Sequence, residues 1–181
     1  MKKRVLCVIG DQFEEIETVA PIDLLRRAGA EVIIASATDS LTVTGRNNIK
    51  LIAELLLEHL SNPKEFDCLL LPGGPGVKKL RTDTRIVNLA KLFYSEGKVV
   101  AAICAAPLIL FDAGILAGKR YTAHFSVKEE IPDALTSESV VEDGNVVTAN
   151  GAGASIQFGL RLVRKLYGNA VEAEIRQAIM F

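Results

Sequence analysis

The chain of 181 residues carries a formal net charge of −1, with 49% hydrophobic and 24% charged residues, a composition typical of a compact globular protein and unlike that of a disordered one. Because it contains no block of basic residues, neither nucleic acid nor an anionic membrane is an expected partner. No apolar stretch approaches the roughly 18 residues of a membrane-spanning helix, and we expect a cytoplasmic protein.

The first half of the chain alternates predicted strands with predicted helices. Apolar runs and helical periodicity predict strands at 4–9, 31–36 and 66–71, a helix at 14–28, a hairpin at 41–52 and a short helix at 54–60. Two strands joined by a helical crossover form a parallel βαβ unit. We therefore expect the sheet to begin with parallel strands.

The second half continues the alternation. The pattern predicts helices at 83–95, 105–114, 155–167 and 170–180, strands at 99–103, 120–123, 139–142 and 145–149, and a short helix at 126–131 capped by Ser126. No repeat, low-complexity tract or linker interrupts the order, which favours a single domain over residues 1–181. Such alternation specifies an α/β fold with a mostly parallel central sheet and helices on both faces.

Three cysteines are far apart in the sequence and form no C-x-x-C pair, which disfavours a disulfide framework and a zinc site. Cys7 and Cys68 lie within apolar runs and are predicted to be buried packing residues. Cys104 differs, because it lies where a strand ends and a helix begins. Free N–H groups and the helix dipole favour a thiolate there and can bind an oxyanion. The alternative is that Cys104 simply fills a buried strand end.

Ligands of parallel sheets bind outside the carboxyl ends of the strands. Four unusual segments leave such ends, and we expect them to share one edge of the sheet: residues 10–17, 72–76, 104–105 and 150–154. Neither glycine-rich loop has a phosphate-binding pattern, since 72–79 lacks the G-K-[ST] ending and 151–153 lacks a third glycine. The sequence therefore predicts no nucleotide cofactor.

Several residues near this edge have both a chemical and a structural interpretation. Glu17 either faces the crevice or complements the helix dipole on a solvated face. Gly73 and Gly74 either form only a turn or let amide donors approach a ligand. His124 is a candidate for acid–base work or a structural histidine, and Arg46 is either a solvated charge or an anion contact.

Three segments together resemble the DJ-1/ThiJ/PfpI superfamily, in particular its parkinsonism-protein and YajL-like branch. They are residues 14–19 with 23–29, Leu71-Pro72-Gly73-Gly74, and residues 101–107 around Cys104. The resemblance covers nearly the whole chain. It implies a flavodoxin-like three-layer sandwich related to class I glutamine amidotransferases, with a nucleophile elbow, and a homodimer.

The resemblance also implies roles at the site. Cys104 would be a nucleophile prone to oxidation, and Glu17 would be protonated and donate a hydrogen bond that lowers the thiol pKa. The resemblance places further substrate-binding or catalytic residues at the same pocket: Gly73, Gly74, Ala105, His124 and Arg46.

Departures from related branches narrow the activity. The protease branch has histidine directly after the cysteine, and Ala105 occupies that position here, which disfavours a cysteine peptidase. Glutamine amidotransferases use a downstream His-x-Glu pair, whereas His124 is followed by Phe125 and Ser126. Ala152 occupies a position where this branch often has proline, so the resemblance does not define the shape of the pocket rim.

Two functional hypotheses use the same residues. In the first, the protein is a glyoxalase III-type lyase or a deglycase that acts on methylglyoxal, glyoxal or early glycation adducts, with no metal or organic cofactor. In the second, it is a redox-sensing stress protein or chaperone controlled by oxidation of Cys104. A purely structural member of the fold would require an inert Cys104.

Overall fold

The computed structural model describes residues 2–181, and a seven-stranded sheet forms the centre of this part of the chain. The strands of residues 2–181 are β1 (Arg4–Ile9), β2 (Glu31–Ser36), β3 (Thr42–Thr44), β4 (Lys50–Ile52), β5 (Leu55–Leu56), β6 (Cys68–Leu71), β7 (Val99–Ile103), β8 (Val140–Asp143) and β9 (Val146–Ala149). The sheet order is β5-β2-β1-β6-β7-β9-β8, and only the β8–β9 pair is antiparallel. Strands β3 and β4 form a separate antiparallel hairpin, as the sequence predicted.

Helices cover both faces of the sheet. They are α1 (Glu15–Arg27), α2 (Val77–Leu80), α3 (Thr84–Ser95), α4 (Pro107–Asp112), α5 (Ser155–Tyr167) and α6 (Asn169–Ala178). Side chains alternate along β1, so that Val5, Cys7 and Ile9 pack with α1, α5 and α6, whereas Leu6 and Val8 pack with α2, α3 and α4. This arrangement confirms the predicted flavodoxin-like three-layer sandwich. No helix in residues 2–181 is long and apolar enough to cross a membrane.

Close packing between α1 and α5 fixes the helix that carries Glu17. Gly159 of α5 faces α1 where a Cβ atom would lie 2.6 Å from Leu24 Cδ1 and 3.0 Å from Pro21 Cα. A side chain at Gly159 would therefore push the two helices apart. The first turn of α1 is held from the sheet side, because the N–H of Glu14 donates to the carbonyl of Gly73 at 3.0 Å.

The prediction of a helix at 54–60 is wrong. This segment instead pairs with the edge of the sheet. The N–H of Glu54 donates to the carbonyl of Ile34 at 2.9 Å, and the Glu54 carboxylate accepts from the N–H of Ile34 at 2.8 Å. Strand β5 follows, paired in parallel with β2, and only Leu57–His59 form a 3-10 turn. Tertiary pairing thus overrides the local preference.

The prediction of a strand at 120–123 is also wrong. The N–H of Thr122 donates to the side-chain oxygen of Thr148 at 2.9 Å, and the Thr122 hydroxyl donates to the carbonyl of Leu135 at 2.7 Å. In this segment, side-chain hydrogen bonds take the place of the backbone hydrogen bonds that a strand would form with its neighbour.

The predicted helix at 126–131 is instead a 3-10 turn over Phe125–Val127. Its cap is His124 and not Ser126, because the His124 Nδ1 accepts from the N–H of Ser126 at 3.2 Å. The remaining predicted helices and strands agree with the structure to within two residues at each end.

Candidate active site

Cys104 occupies a strained turn between β7 and α4. Its φ angle is +65°, in the left-handed region that residues other than glycine rarely adopt. Two hydrogen bonds hold this conformation, because the Cys104 N–H donates to the carbonyl of Ala149 at 2.9 Å and its carbonyl accepts from the N–H of His124 at 2.9 Å. Strand β9 and the loop that carries His124 therefore hold the backbone of Cys104 from both sides.

Gly73 lies between Glu17 and Cys104. A Cβ atom at Gly73 would be 2.5 Å from Glu17 Oε2 and 2.6 Å from Cys104 Cβ, so only glycine allows these two side chains to approach each other. The Gly73 N–H donates to Glu17 Oε2 at 3.1 Å. Gly73 thus positions the Glu17 carboxyl, and its N–H is used in the hydrogen bond to that carboxyl.

Two other amides face the sulfur. The backbone N–H groups of Gly74 and Ala105 act to lower the pKa of the Cys104 thiol, because N–H donors next to the sulfur stabilise its anion. Gly74 has a φ of +105° and packs so tightly that a Cβ atom would be 2.4 Å from the carbonyl oxygen of Gln12. The loop after β6 and the turn after β7 therefore present a pair of donors at one point, as an oxyanion site requires.

Glu17 is almost completely buried, with 1% of its surface exposed. The pKa of its carboxyl is raised to about 7, mainly by burial and in smaller part by the neighbouring charge of Glu14, while hydrogen bonds from Cys104 and Gly73 oppose the rise. Glu14 itself caps α1, since its carboxylate accepts from the Glu17 N–H at 2.8 Å. Glu17 therefore exchanges its proton near neutral pH, as a general acid or base must.

The thiol and the carboxyl oppose each other's ionisation. Burial, followed by the negative charge of Glu17, raises the pKa of Cys104 to about 12, and the amides of Gly74 and Ala105 act against this rise. When Glu17 is protonated, the repulsion is absent and the carboxyl can donate to the sulfur. The lowered thiol pKa implied by the family resemblance therefore requires a protonated Glu17. As the pH rises through about 7, the pair takes up one negative charge.

His124 and Arg46 are the other two side chains predicted at the site, and both line the cavity of Cys104. His124 is half-buried, and its Nδ1 lies 2.8 Å from the Ser126 hydroxyl oxygen. Burial and the positive charge of Arg46 lower the pKa of His124, which favours the neutral ring. Arg46 is exposed in the turn between β3 and β4, where its N–H donates to the carbonyl of Phe13 at 2.9 Å.

All of these groups except Gly73 line one cavity of about 430 Å³. Its lining residues are Glu14, Glu17, Arg46, Gly74, Pro75, Val77, Lys78, Cys104, Ala105, Leu108, His124, Ser126, Val127, Glu130 and Ala152. Lys78 and Glu130 were not among the sequence candidates. A signal existed for Lys78, which follows the glycine-rich loop that leaves β6, whereas Glu130 comes from an irregular segment with no motif.

The thiol, carboxyl and imidazole groups of this cavity can support covalent and acid–base chemistry. In the part of the chain that the structure describes, no group of three or more histidine, cysteine or acidic side chains is placed to hold a metal ion. Cys7 and Cys68 are completely buried, and burial raises the pKa of each thiol far above its ordinary value. Cys104 is the cysteine that reaches a cavity.

We expect Glu17→Gln to remove a pH-dependent loss of stability. An acid whose pKa rises from 4.5 to about 7 on folding binds more protons in the folded state, so the free energy of unfolding falls as the pH rises through this window. The shift corresponds to about 3 kcal/mol. Urea unfolding of wild type and variant between pH 4.5 and 8 should therefore show the variant gaining stability relative to wild type as the pH rises.

Glu15→Gln is the matched control on the same helix. Burial tends to raise the pKa of Glu15, but hydrogen bonds from Asn47, whose N–H lies 2.6 Å from Oε1, outweigh it and lower the pKa. Removing this charge should cost stability above pH 4.5, the opposite sign. If the stability of Glu17→Gln depended on pH as that of wild type does, the raised pKa could not belong to Glu17.

Comparison with known proteins places this geometry in a family. The model of the DJ-1/PfpI family matches residues 3–165. Protein DJ-1 homolog A of Arabidopsis thaliana is 37% identical over 98% of this chain and 46% of its own length, and a deglycase of Pyrococcus abyssi is 39% identical over 83% of this chain and 91% of its own length. The chain thus spans less than half the length of the Arabidopsis relative.

Solved structures agree with these matches. Oxidised DJ-1 of Toxoplasma gondii superposes with a TM-score of 0.93 at 30% identity, covering 99% of this chain and 98% of that one. DJ-1beta of Drosophila melanogaster superposes with a TM-score of 0.94 at 29% identity over the same shares. The similarity extends over the whole sandwich, including the segments that carry the cavity.

Proposed function

The chain belongs to the DJ-1/PfpI family, and we propose that it is a cofactor-independent enzyme that converts small reactive carbonyl compounds into hydroxy acids. Its substrates would be methylglyoxal, glyoxal and their early adducts on thiols and amines, as expected of a glyoxalase III-type lyase or a deglycase. The observation that carries this proposal is the buried Glu17 carboxyl beside Cys104, with the amides of Gly74 and Ala105 next to the sulfur. The archaeal relatives named deglycases support the same class of substrate.

Nucleophilic addition is the first step. The Cys104 sulfur attacks the aldehyde carbon, and the electron pair of the C=O bond moves to oxygen. The amides of Gly74 and Ala105 bind the resulting oxyanion, which then takes a proton to give a hemithioacetal. If the substrate is an adduct, its carrier thiol or amine first leaves with a proton and frees the aldehyde.

Glu17 then moves a proton between neighbouring carbons. As a carboxylate it removes the proton from the former aldehyde carbon, and the enediol that forms is protonated on the adjacent carbon. The first carbon is oxidised to the level of a thioester while the second is reduced to an alcohol, so no external oxidant is needed. Water hydrolyses the thioester, releasing the hydroxy acid and the thiol. His124, which lines the same cavity, would assist this proton transfer.

Product formation tests the proposal directly. Purified protein incubated with excess methylglyoxal should form many molecules of lactate per protein chain. Loss of methylglyoxal limited to one equivalent per reactive thiol, without lactate, would refute the enzymatic function.

Oxidation sensing through Cys104 is the second candidate function. A sulfinate at this position would be received by the amides of Gly74 and Ala105 and by a protonated Glu17, the same contacts that bind an oxyanion. The related structure from Toxoplasma gondii is described as oxidised. Peroxide should then add oxygen atoms to Cys104 in intact-mass spectra, and a partner-binding or chaperone activity should change with that mass.

We also propose a homodimer in the cytoplasm. Ile16 and Val19 of α1 are 56% and 46% exposed, and Ile52 of the β3–β4 hairpin is 74% exposed. The hairpin is tied to α1 by hydrogen bonds from Asn47 to Glu15, so these apolar side chains belong to neighbouring surfaces that a second copy would cover. Three unpaired cysteines within the described residues suit a reducing compartment.

We expect Ile52→Glu to halve the molecular mass in solution. A buried, unpaired carboxylate at the interface would oppose association, while the exposed position keeps the folded subunit intact. Analytical ultracentrifugation of wild type, Ile52→Glu and the control Met180→Glu, whose side chain is 94% exposed at the end of the chain, measures this effect. An unchanged mass for Ile52→Glu would place the interface elsewhere.

A further inference from the structure

A small cavity with a cationic lining lies between the last two helices, α5 and α6. It has a volume of about 120 Å³ and shares no lining residue with the cavity of Cys104. Three arginines are among its six lining residues, which are Gln157, Leu160, Arg161, Arg164, Glu172 and Arg176. We call this cavity the arginine pocket.

Helical spacing brings these side chains together. On α5, Gln157, Arg161 and Arg164 follow one another at intervals of four and three residues, so they share one face of the helix. On α6, Glu172 and Arg176 are four residues apart and also share a face. The pocket therefore forms where a cationic face of α5 meets a polar face of α6.

Arg161 and Arg164 share one carboxylate, that of Glu142 on β8. Its Oε2 atom accepts from Nη2 of Arg164 at 3.2 Å but lies 3.6 Å from Nη1 of Arg161, which is too long for a hydrogen bond. Its Oε1 atom accepts from Nζ of Lys165 at 2.8 Å. Two other cations thus already use this carboxylate, and the Arg161 guanidinium keeps N–H donors for a ligand.

The charges of this cluster do not balance. Arg176 is neutralised within α6, because its Nε donates to Oε1 of Glu172 at 2.8 Å. Four cationic side chains therefore face only two carboxylates in this part of the described chain, although the whole sequence has a formal net charge of −1. Cations held close together repel one another, and a bound anion with two negative charges would remove this repulsion.

We propose that the arginine pocket binds a phosphate group, either as inorganic phosphate or as the monoester of a small metabolite. A phosphate monoester carries about −1.5 to −2 charges near pH 7, which matches the excess of two positive charges better than a single carboxylate does. Guanidinium groups also donate in pairs to phosphate oxygens. The pocket is smaller than the roughly 300–1,000 Å³ of sites that enclose a whole ligand, so the rest of a monoester would lie in solvent.

A phosphate in this position would join two helices. Arg161 and Arg164 would contact it from α5, and Arg176 would contact it from α6. Because a ligand that binds only the folded state stabilises that state, phosphate would hold α6 against α5 and raise the stability of the chain. This site is distinct from the cavity of Cys104, and its occupancy requires no reaction there.

Equilibrium dialysis of the full chain against radiolabelled inorganic phosphate tests the proposal. At low ionic strength and about pH 7.5, where screening is weak, wild type should bind one phosphate per chain. Arg161→Gln should weaken this binding at least about tenfold, because it removes charged hydrogen bonds to the ligand. Glutamine is a good helix former, so α5 should remain intact.

Arg120→Gln is the matched control, since it removes the same charge from an exposed pair with Glu138 that does not line the pocket. It should bind phosphate as wild type does. Equal weakening in both variants would show a general effect of net charge and overturn the proposal. Absence of saturable binding by wild type, or unchanged binding by Arg161→Gln, would overturn it as well.

Competition identifies the source of the phosphate group. Glycerol 3-phosphate that displaces the labelled phosphate at a lower concentration than unlabelled phosphate would support a monoester as the ligand. The reverse order would support inorganic phosphate. Acetate, with one negative charge, should compete at least about tenfold more weakly than either. Acetate that competes as well as phosphate would overturn the assignment of a phosphate site.

Discussion

Replacing Cys104 by serine is expected to lower lactate formation from methylglyoxal by at least about a thousandfold and to leave the fold intact. A serine hydroxyl is far less acidic than a thiol, and Glu17, with a pKa of about 7, is too weak a base to ionise it. The substituted atom is of similar size, and the backbone bonds that hold the turn involve no side-chain atom of this residue. Lactate per protein chain over many turnovers is the quantity to measure.

Cys68→Ala provides the matched control, since it removes a thiol that is completely buried in β6 and leaves Cys104 in place. This variant should retain turnover, at some cost in stability from the lost packing. If Cys104→Ser keeps full lactate formation, the nucleophile is another group. If wild type only consumes methylglyoxal in proportion to its thiols while peroxide readily oxidises Cys104, oxidation sensing becomes the better account.

The central strands were predictable because each combines a short apolar run with turn residues on both sides. The runs at 4–9, 31–36 and 99–103 agree with the structure residue for residue. Residues 54–60 lack such a pattern. Their place is decided by hydrogen bonds between Glu54 and Ile34, which are 20 residues apart in the sequence but adjacent at the sheet edge. Such pairing has no local signal.

The convergence of the site was predictable from topology, because loops that leave the carboxyl ends of neighbouring parallel strands must meet. Its fine geometry was not. Nothing in the sequence signals the φ of +65° at Cys104, the engagement of the Gly73 amide by Glu17, or the arrival of Glu130 from an irregular segment. These features depend on tertiary contacts that hold a strained backbone in place.

Glu17→Gln should lower lactate formation by about a hundredfold or more, since an amide keeps a hydrogen bond to the sulfur but cannot carry a proton between carbons. The rate at which iodoacetamide alkylates Cys104 at pH 8 reports where the negative charge of the pair resides. If the charge resides on Cys104, with Glu17 protonated, wild type and variant should react at similar rates. Both would then contain a thiolate that the amides of Gly74 and Ala105 stabilise. Glu15→Gln should leave both rates unchanged. Unaffected lactate formation in Glu17→Gln would exclude Glu17 as the base. Alkylation that becomes much faster in the variant would place the charge on the Glu17 carboxylate instead, because removal of that charge would release the thiol from the repulsion that raises its pKa.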